Sequence, residues 1–517
     1  MHFVSERRDH RLVAVGSALI ALAFVALLAF AARAQAAETI YWDNYKASPE
    51  TIAYSSIDGS GGGTLNLAGG TLESPEGMAY DTVTNRLFIG SEGGPSGNGQ
   101  IFYVNLDGSG AGTLNTGSAP VESPEGVAVN PATRMIYWVN TGASDSIGFA
   151  NIDTGVGGQL DTSGATLDTP YKIAIDPVGG RVYWGDTESI GYANANNTGG
   201  GGTLDTSGAP PVAGPNGLVV DPAGGRIYWL DSKEKIGFAS LAPGGNGGEV
   251  NLSGASFSGP YGLAFDPALS KLYWANYSGE GQANAIGFSS LSGSFGSISP
   301  TTAPVDGPQD PVILKSPSGT GAPAITRDAA NPAVLACPTG SWAADYAGSF
   351  VYQAPRSFGY QWLLNGAAIA GATSNTLTAT APGAYTCTVT ATNQTGSASQ
   401  TSGAAATVNA ASVKLTVKPK KAKAKAGKLA KFSIQALNQG DLQTGNAKVC
   451  VKVPKKAKKA LKTPKCKKLG VVGALTTHTA KVKIKVKPTA AKGSYKVTLQ
   501  IKGSAGKAVK ATVKVLG

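Results

Sequence analysis

Six short segments carry the residues most able to do chemistry. At the middle position of six Pro-x-Gly-like steps stand Glu76, Glu125, Tyr171, Asn216, Tyr261 and Gln309, and in the third step Lys172 replaces the glycine. Two residues before each proline stand Glu73, Glu122, Asp168, Ala213, Ser258 and Asp306. Carboxylates gathered on one side of a common mouth attract a hard cation such as calcium, or a basic ligand. A solvated acidic loop face would carry the same residues, so both readings stand here. Other chemistries are thinly supplied. The three histidines are His2, His10 and His478, which leaves residues 38–315 without one and excludes His-dependent catalysis there. The Gly-rich stretch Gly199–Gly202 precedes no helix pattern and reads as a turn, not a phosphate loop.

A repeat must position these groups. Aromatic pairs begin at Tyr41, Phe88, Tyr137, Tyr183, Tyr228 and Tyr273, at intervals of 47, 49, 46, 45 and 45 residues. A period in the mid-forties with several short strands per unit predicts a β-propeller, one blade per unit. Each unit reads as four strands joined by Gly and Asp-Pro turns, as in Leu218–Val220, Arg226–Trp229, Lys235–Phe238 and Glu249–Leu252. The chain enters at a second strand, Thr39–Trp42, and the missing inner strand reappears in Gly307–Leu314. Closure by that segment predicts six blades and no open edge. In ring order Asp306, Glu73, Glu122 and Asp168 then occupy four consecutive blades, reinforced by Glu76, Glu125 and Asp310, while Ala213 and Ser258 leave two blades neutral.

Five of the six aromatic pairs are Tyr-Trp, with Asn44, Asn140, Asp186, Asp231 and Asn276 two residues after the tryptophan. On these residues the segment resembles the six-bladed YWTD propellers of low-density-lipoprotein-receptor type and, more loosely, NHL-like propellers. It lacks the motif's Thr, and its second repeat reads Phe88-Ile89-Gly90-Ser91. Gluconolactonase-like propellers hold a divalent metal in the channel with Glu, Asn and Asp; Glu76, Asn216 and Glu125 are residues of the right types. After a polar linker, Cys337, Trp362 and Tyr385-Thr386-Cys387 reproduce the Cys…Trp…Tyr-x-Cys layout of an immunoglobulin core. The stretch Tyr360–Gly366 is similar to the Ig-like repeats of bacterial surface proteins. Asn438-Gln439-Gly440 with Val449–Pro454 is similar to CARDB-like adhesion sandwiches. The expected fold is thus all-β: a six-bladed propeller at 38–315, a linker at 316–323, and Ig-like β-sandwiches at 324–410 and 411–517.

Residues 1–37 read as a signal peptide or a retained membrane helix: Arg7, Arg8 and Arg11, an apolar run Leu12–Ala32, then Ala34-Gln35-Ala36. Export implies an oxidising compartment. Four cysteines allow three connectivities, and the layout favours Cys337–Cys387 and Cys450–Cys466, each inside one domain. Charge divides sharply. Residues 411–517 carry 28 Lys and one acid, Asp441, a net +27; subtraction from the whole-chain +12 leaves −15 for residues 1–410. Aromatics in the basic part are only Phe432 and Tyr495, which argues against base stacking and specific nucleic-acid recognition. The expectation is a secreted or envelope-associated, non-catalytic binding protein. Its propeller takes a protein or glycan ligand, and its basic end takes anionic wall polymers. No cofactor is required beyond a calcium ion at the channel, and the rival reading is a metal-dependent propeller hydrolase.

Overall fold

The computed structural model describes residues 38–93, 99–142, 144–252, 254–255, 257–277 and 285–517, so the expected leader lies outside the described residues. Among these, no helix is long and apolar enough to cross a membrane. The chain is all-β and divides into two compact units.

The first unit holds five four-stranded antiparallel sheets, each strand pairing with the next in sequence, and one five-stranded sheet. The exception is the first sheet. There Pro308–Leu314 pairs with Thr39–Asn44, setting Ile40 opposite Ile313 and Tyr41 opposite Val312, so the last strand completes the first sheet as the strand count requires. The inner strands are Pro308–Leu314, Pro75–Asp81, Pro124–Asn130, Ile173–Asp176, Pro215–Asp221 and Pro260–Asp266, each packed on the next, with the last packed on the first. The arrangement is propeller-like.

Why these residues form sheets of equal thickness is visible in the second and third strands. Trp138, Trp184, Trp229 and Trp274 lie opposite Gly148, Gly191, Gly237 and Gly287. A Cβ on any of those glycines would stand within 2.4 Å of the indole ring. In the first sheet the pair is Trp42 with Ala53, and in the second it is Ile89 with Phe102. At the departure Phe88-Ile89 the smaller Ile89 thus faces a large residue, Phe102, in place of the glycine or alanine found elsewhere. Beside each pair a second aromatic contact repeats, from Tyr41–Tyr54 at 5.7 Å between centroids to Tyr273–Phe288 at 6.1 Å. Each is worth about 0.5–1.5 kcal/mol beyond area burial. All five Tyr-Trp tryptophans are fully buried.

The first unit also contains residues 342–357 and 392–398. Ala347–Ser349 form a buried 3₁₀ turn packed against the inner strands Pro124–Asn130, Ile173–Asp176, Pro215–Asp221 and Pro260–Asp266. Val351–Tyr352 then run parallel to Ile313–Leu314, bonded through Ile313 N to Phe350 O at 3.0 Å and Lys315 N to Tyr352 O at 2.8 Å. Ser349 Oγ donates to Val220 O. This segment fills the channel near the C-terminal ends of the inner strands. Nothing in the repeat pattern announces it.

In the second unit, Trp362 is fully buried and donates to Ser374 O, and Tyr385 Oη donates to Ala381 O at 2.7 Å, two residues before the bridged Cys387. The Lys-rich part forms two sheets. One holds Val413–Lys418, Leu429–Asn438 and Thr477–Lys485; the other holds Lys421–Lys425, Val509–Leu516, Gly493–Lys502, Ala447–Lys452 and Lys467–Gly470. Val413–Lys418 and the second half of Thr477–Lys485 alternate buried apolar residues with exposed ones, mostly lysine, the pattern of a sheet with one solvated face. Both expected disulfides, Cys337–Cys387 and Cys450–Cys466, are formed.

Candidate functional site

The site is built from exceptions to the repeat. Where four inner segments carry Gly77, Gly126, Gly217 and Gly262, the other two carry Lys172 and Asp310. These two side chains meet, with Lys172 Nζ 2.8 Å from Asp310 Oδ2. Their segments are not neighbours: Pro75–Asp81 and Pro124–Asn130 lie between them on one side, Pro215–Asp221 and Pro260–Asp266 on the other, so the ion pair reaches across the channel. The glycines make the room. A Cβ at Gly262 would approach the Asp310 backbone to 2.5 Å, and one at Gly77 would approach the Glu125 carbonyl oxygen to 2.5 Å.

Around this pair the other inner residues assemble. Asp310 Oδ2 also accepts from Gly77 N at 2.7 Å. Glu76 Oε2 lies 3.6 Å from Lys172 Nζ and has no hydrogen-bond partner. Lys172 Nζ also sits 4.3 Å from the Tyr261 ring centroid, a cation–π contact. Glu125 Oε1 accepts from Thr141 Oγ1 at 3.3 Å. Asp43 and Gln309, opposite each other in the first sheet, are buried; neither Asp43 carboxyl oxygen nor Gln309 Oε1 has a hydrogen-bond partner.

One ammonium cannot balance this many carboxylates, and burial moves their protons. Desolvation, opposed by Lys172 and assisted by Asp310 and Glu125, pushes the Glu76 carboxyl up to about 8. Desolvation with the charges of Asp310 and Glu76 holds Asp43 well above the carboxylate range, and desolvation also raises Glu125. Burial opposes charge on Lys172, but Asp310 and Glu76 outweigh it and push the ammonium up to about 12. The phenol of Tyr261 is driven far above its ordinary value by burial and then by Glu76.

A pH dependence follows. Because the folded Glu76 value lies above the ordinary 4.5, its contribution to stability is fully present below about 4.5 and lost as pH rises through about 8. Unfolding free energy of the full chain is therefore expected to fall between about pH 5 and pH 8. Glu76→Gln should shallow that slope in urea titrations, while Asp43 and Glu125 keep part of it with the same sign.

The remaining expected residues stand apart. Glu73, Glu122, Asp168 and Asp306 are exposed on the loops before the inner strands. Their backbone amides, not their carboxylates, are held: Glu122 N by Asn140 Oδ1 at 2.9 Å, Asp168 N by Asp186 Oδ1 at 3.1 Å, Asp306 N by Asn44 Oδ1 at 3.0 Å and Glu73 N by Ser91 Oγ at 3.2 Å. This anchoring is the work of the residue that closes each aromatic strand. Tyr171 and Asn216 are half-buried and add no hydrogen bond or ion pair to the central cluster. The acidic arc is thus two tiers: an exposed rim, and a buried cluster around Lys172. Among the described residues no three His, Cys, Asp or Glu side chains are grouped to hold a metal ion. Of the trio Glu76, Glu125 and Asn216, the first already faces an ammonium. Between the cluster and Phe350 remains a cavity of about 20 Å³, lined by Gly77, Gly126, Lys172, Leu218, Leu263 and Asp310 among others. That is room for about one water.

Asp43 is the member that the repeat reading passed over. Its signal was available: the residue after the second aromatic position is Gly90, Val139, Gly185, Leu230 or Ala275 elsewhere, and a charge only here.

No protein-family model matches this chain, and no curated protein matches it. Among solved structures it is similar to a TolB from Agrobacterium tumefaciens, 14% identical with a TM-score of 0.35, over 51% of this chain and 88% of that one. It is also similar to a gluconolactonase from Xanthomonas campestris, 16% identical with a TM-score of 0.32, over 46% and 83%. A protein of unknown function from Desulfotomaculum acetoxidans is 12% identical with a TM-score of 0.33, over 60% and 97%. At scores this low, these likenesses decide neither fold nor activity.

Proposed function

We propose that this chain is an exported, envelope-associated binding protein without catalytic activity. In this reading the six sheets are the blades of a YWTD/NHL-like propeller, the segment around Trp362 is an Ig-like spacer, and the Lys-rich sandwich holds to anionic wall polymers. The observation that carries the reading is the filled channel: Lys172 stands where a channel cation would neutralise Glu76, and residues 347–352 occupy the other end. Among the described residues the channel keeps a cavity of only about 20 Å³, so in this reading a protein or glycan ligand is met by the outer loops bearing Glu73, Glu122, Asp168 and Asp306. The buried Trp362 beside a bridged Cys pair, with Tyr385 bonded four residues upstream, supports the spacer assignment. Two disulfides support export.

Retention on isolated cell envelopes tests the anchoring half. The bound fraction of full chain is expected to fall at least tenfold between about 50 and 200 mM salt, since counterion release governs such contacts. Salt-insensitive retention would overturn it. For the non-catalytic half, lactone or ester turnover by the full chain that Glu125→Gln abolishes would establish the metal-dependent hydrolase instead.

A further inference from the structure

The basic end carries lysines that face one another across strands, and among the described residues no acid lines the groove they form. In the sheet Val413–Lys418, Leu429–Asn438, Thr477–Lys485, Lys431 lies directly opposite Lys483, and Ser433 lies between Lys418 and Lys481. All four lysines are exposed on one face. They line a groove of about 410 Å³ with Pro419, Phe432 and Ser433, and no carboxylate contributes to its wall. Asp441, the one acid in residues 411–517, is engaged by Asn409 at 2.9 Å and Arg327 at 3.4 Å. Like charges directly opposite on a sheet are destabilising. Such a face is relieved by a counter-charge that it does not itself contain.

We infer that the groove between Lys418, Lys431, Lys481 and Lys483 is the docking face for a linear phosphodiester polymer lacking bases. This rests on the wall-anchoring reading and names the chemistry of its partner. Three features select that chemistry. Lys481, Lys483 and Lys485 are alternate residues of one strand, so successive charges stand ~7 Å apart on one line. That suits a polymer with regularly spaced single charges in an extended backbone. Residues 411–517 contain no Arg, so no planar fork is present for bidentate carboxylate recognition, whereas lysine binds phosphate as a point charge. The groove exposes no aromatic ring, since Phe432 is 2% exposed, so a nucleic-acid strand gains nothing from its bases.

The test titrates full chain with a synthetic glycerol-phosphate oligomer, and with poly-glutamate and single-stranded DNA of equal charge. Changing Lys418, Lys431, Lys481 and Lys483 together to Gln should weaken oligomer binding about 100-fold at low salt and flatten the log K against log salt slope by about 3. A matched variant on the other sheet, Lys423, Lys448, Lys502 and Lys514 to Gln, should leave both nearly unchanged. Thermal melting confirms that both variants fold; all these positions are exposed except Lys514, which is half-buried. Equal losses in the two variants would overturn the inference in favour of diffuse charge. Tighter binding of poly-glutamate or DNA would overturn it in favour of that polymer. Salt-insensitive envelope retention alongside a groove-dependent oligomer titration would fail the anchoring role and leave the face standing.

Discussion

Lys172→Met is expected to destabilise the first unit by about 3–5 kcal/mol, read as a lowered urea midpoint with an unchanged slope. The reason is what stays behind. Asp310 would keep its carboxylate buried with only the Gly77 amide at 2.7 Å, and Glu76 would lose the one cation near it. Removing both charges of the pair tests this directly, because Lys172→Met with Asp310→Asn no longer strands the Asp310 carboxylate. Asn also tolerates the left-handed backbone that Asp310 adopts, φ 42°. The double variant should recover more than half of the loss, and a non-additive cycle measures the coupling. Since the folded Lys172 value is raised from 10.5 to about 12, its contribution is complete below about 10.5 and fades as pH passes 12. At neutral pH the pair acts at full strength. A single variant as stable as the parent at pH 7 would mean that the channel does not depend on its ammonium.

Gly348→Val should cost about 3 kcal/mol, by overpacking against backbone that cannot yield. A Cβ there would meet the Ile175 carbonyl oxygen at 2.2 Å and Val220 Cβ at 3.1 Å, both on inner strands. Shifting the turn also breaks the Ser349 bond to Val220 O. Limited proteolysis should then cut within residues 342–357, a segment that the parent protects. Gly403→Val provides the control, having nothing within 4 Å of the added carbon, and should stay within about 0.5 kcal/mol. Equal melting of Gly348→Val and parent would contradict a packed channel.

The ring's framework was readable because its rules repeat. The spacing of the aromatic pairs and the missing inner strand led to the pairing of Ile40 with Ile313. The acidic arc was harder, because a residue's place in a repeat gives its ring position but not its depth. Glu73 and Glu76 are three residues apart, yet one is solvated and the other is 8% exposed beside an ammonium. The exceptions carried more information than the consensus. Lys172 and Asp310 are the two non-glycine occupants of one position, and they bind each other. The 3₁₀ turn and Val351–Tyr352 had no such signal. They are short, unrepeated and spelled inside the stretch whose Cys, Trp and Tyr spacing points elsewhere.

That inserted strand bears on the order of biosynthesis. The first sheet gains its last member at Leu314, but its exposed edge waits for Val351 and Tyr352, which leave the ribosome later. Until then Leu218, Leu263 and Ile173 in the bore lack the Phe350 segment packed against them, and the Ile313 and Lys315 amides lack their acceptors. A fragment ended at residue 318 would be trapped in that half-finished state, prone to recruit a neighbour's strand into the gap. Modules of this chain are therefore to be dissected after Val408, beyond the strand Gly396–Thr401 and the pairing of Ala406–Val408 with Gly383–Tyr385, not at the junction where the repeats stop.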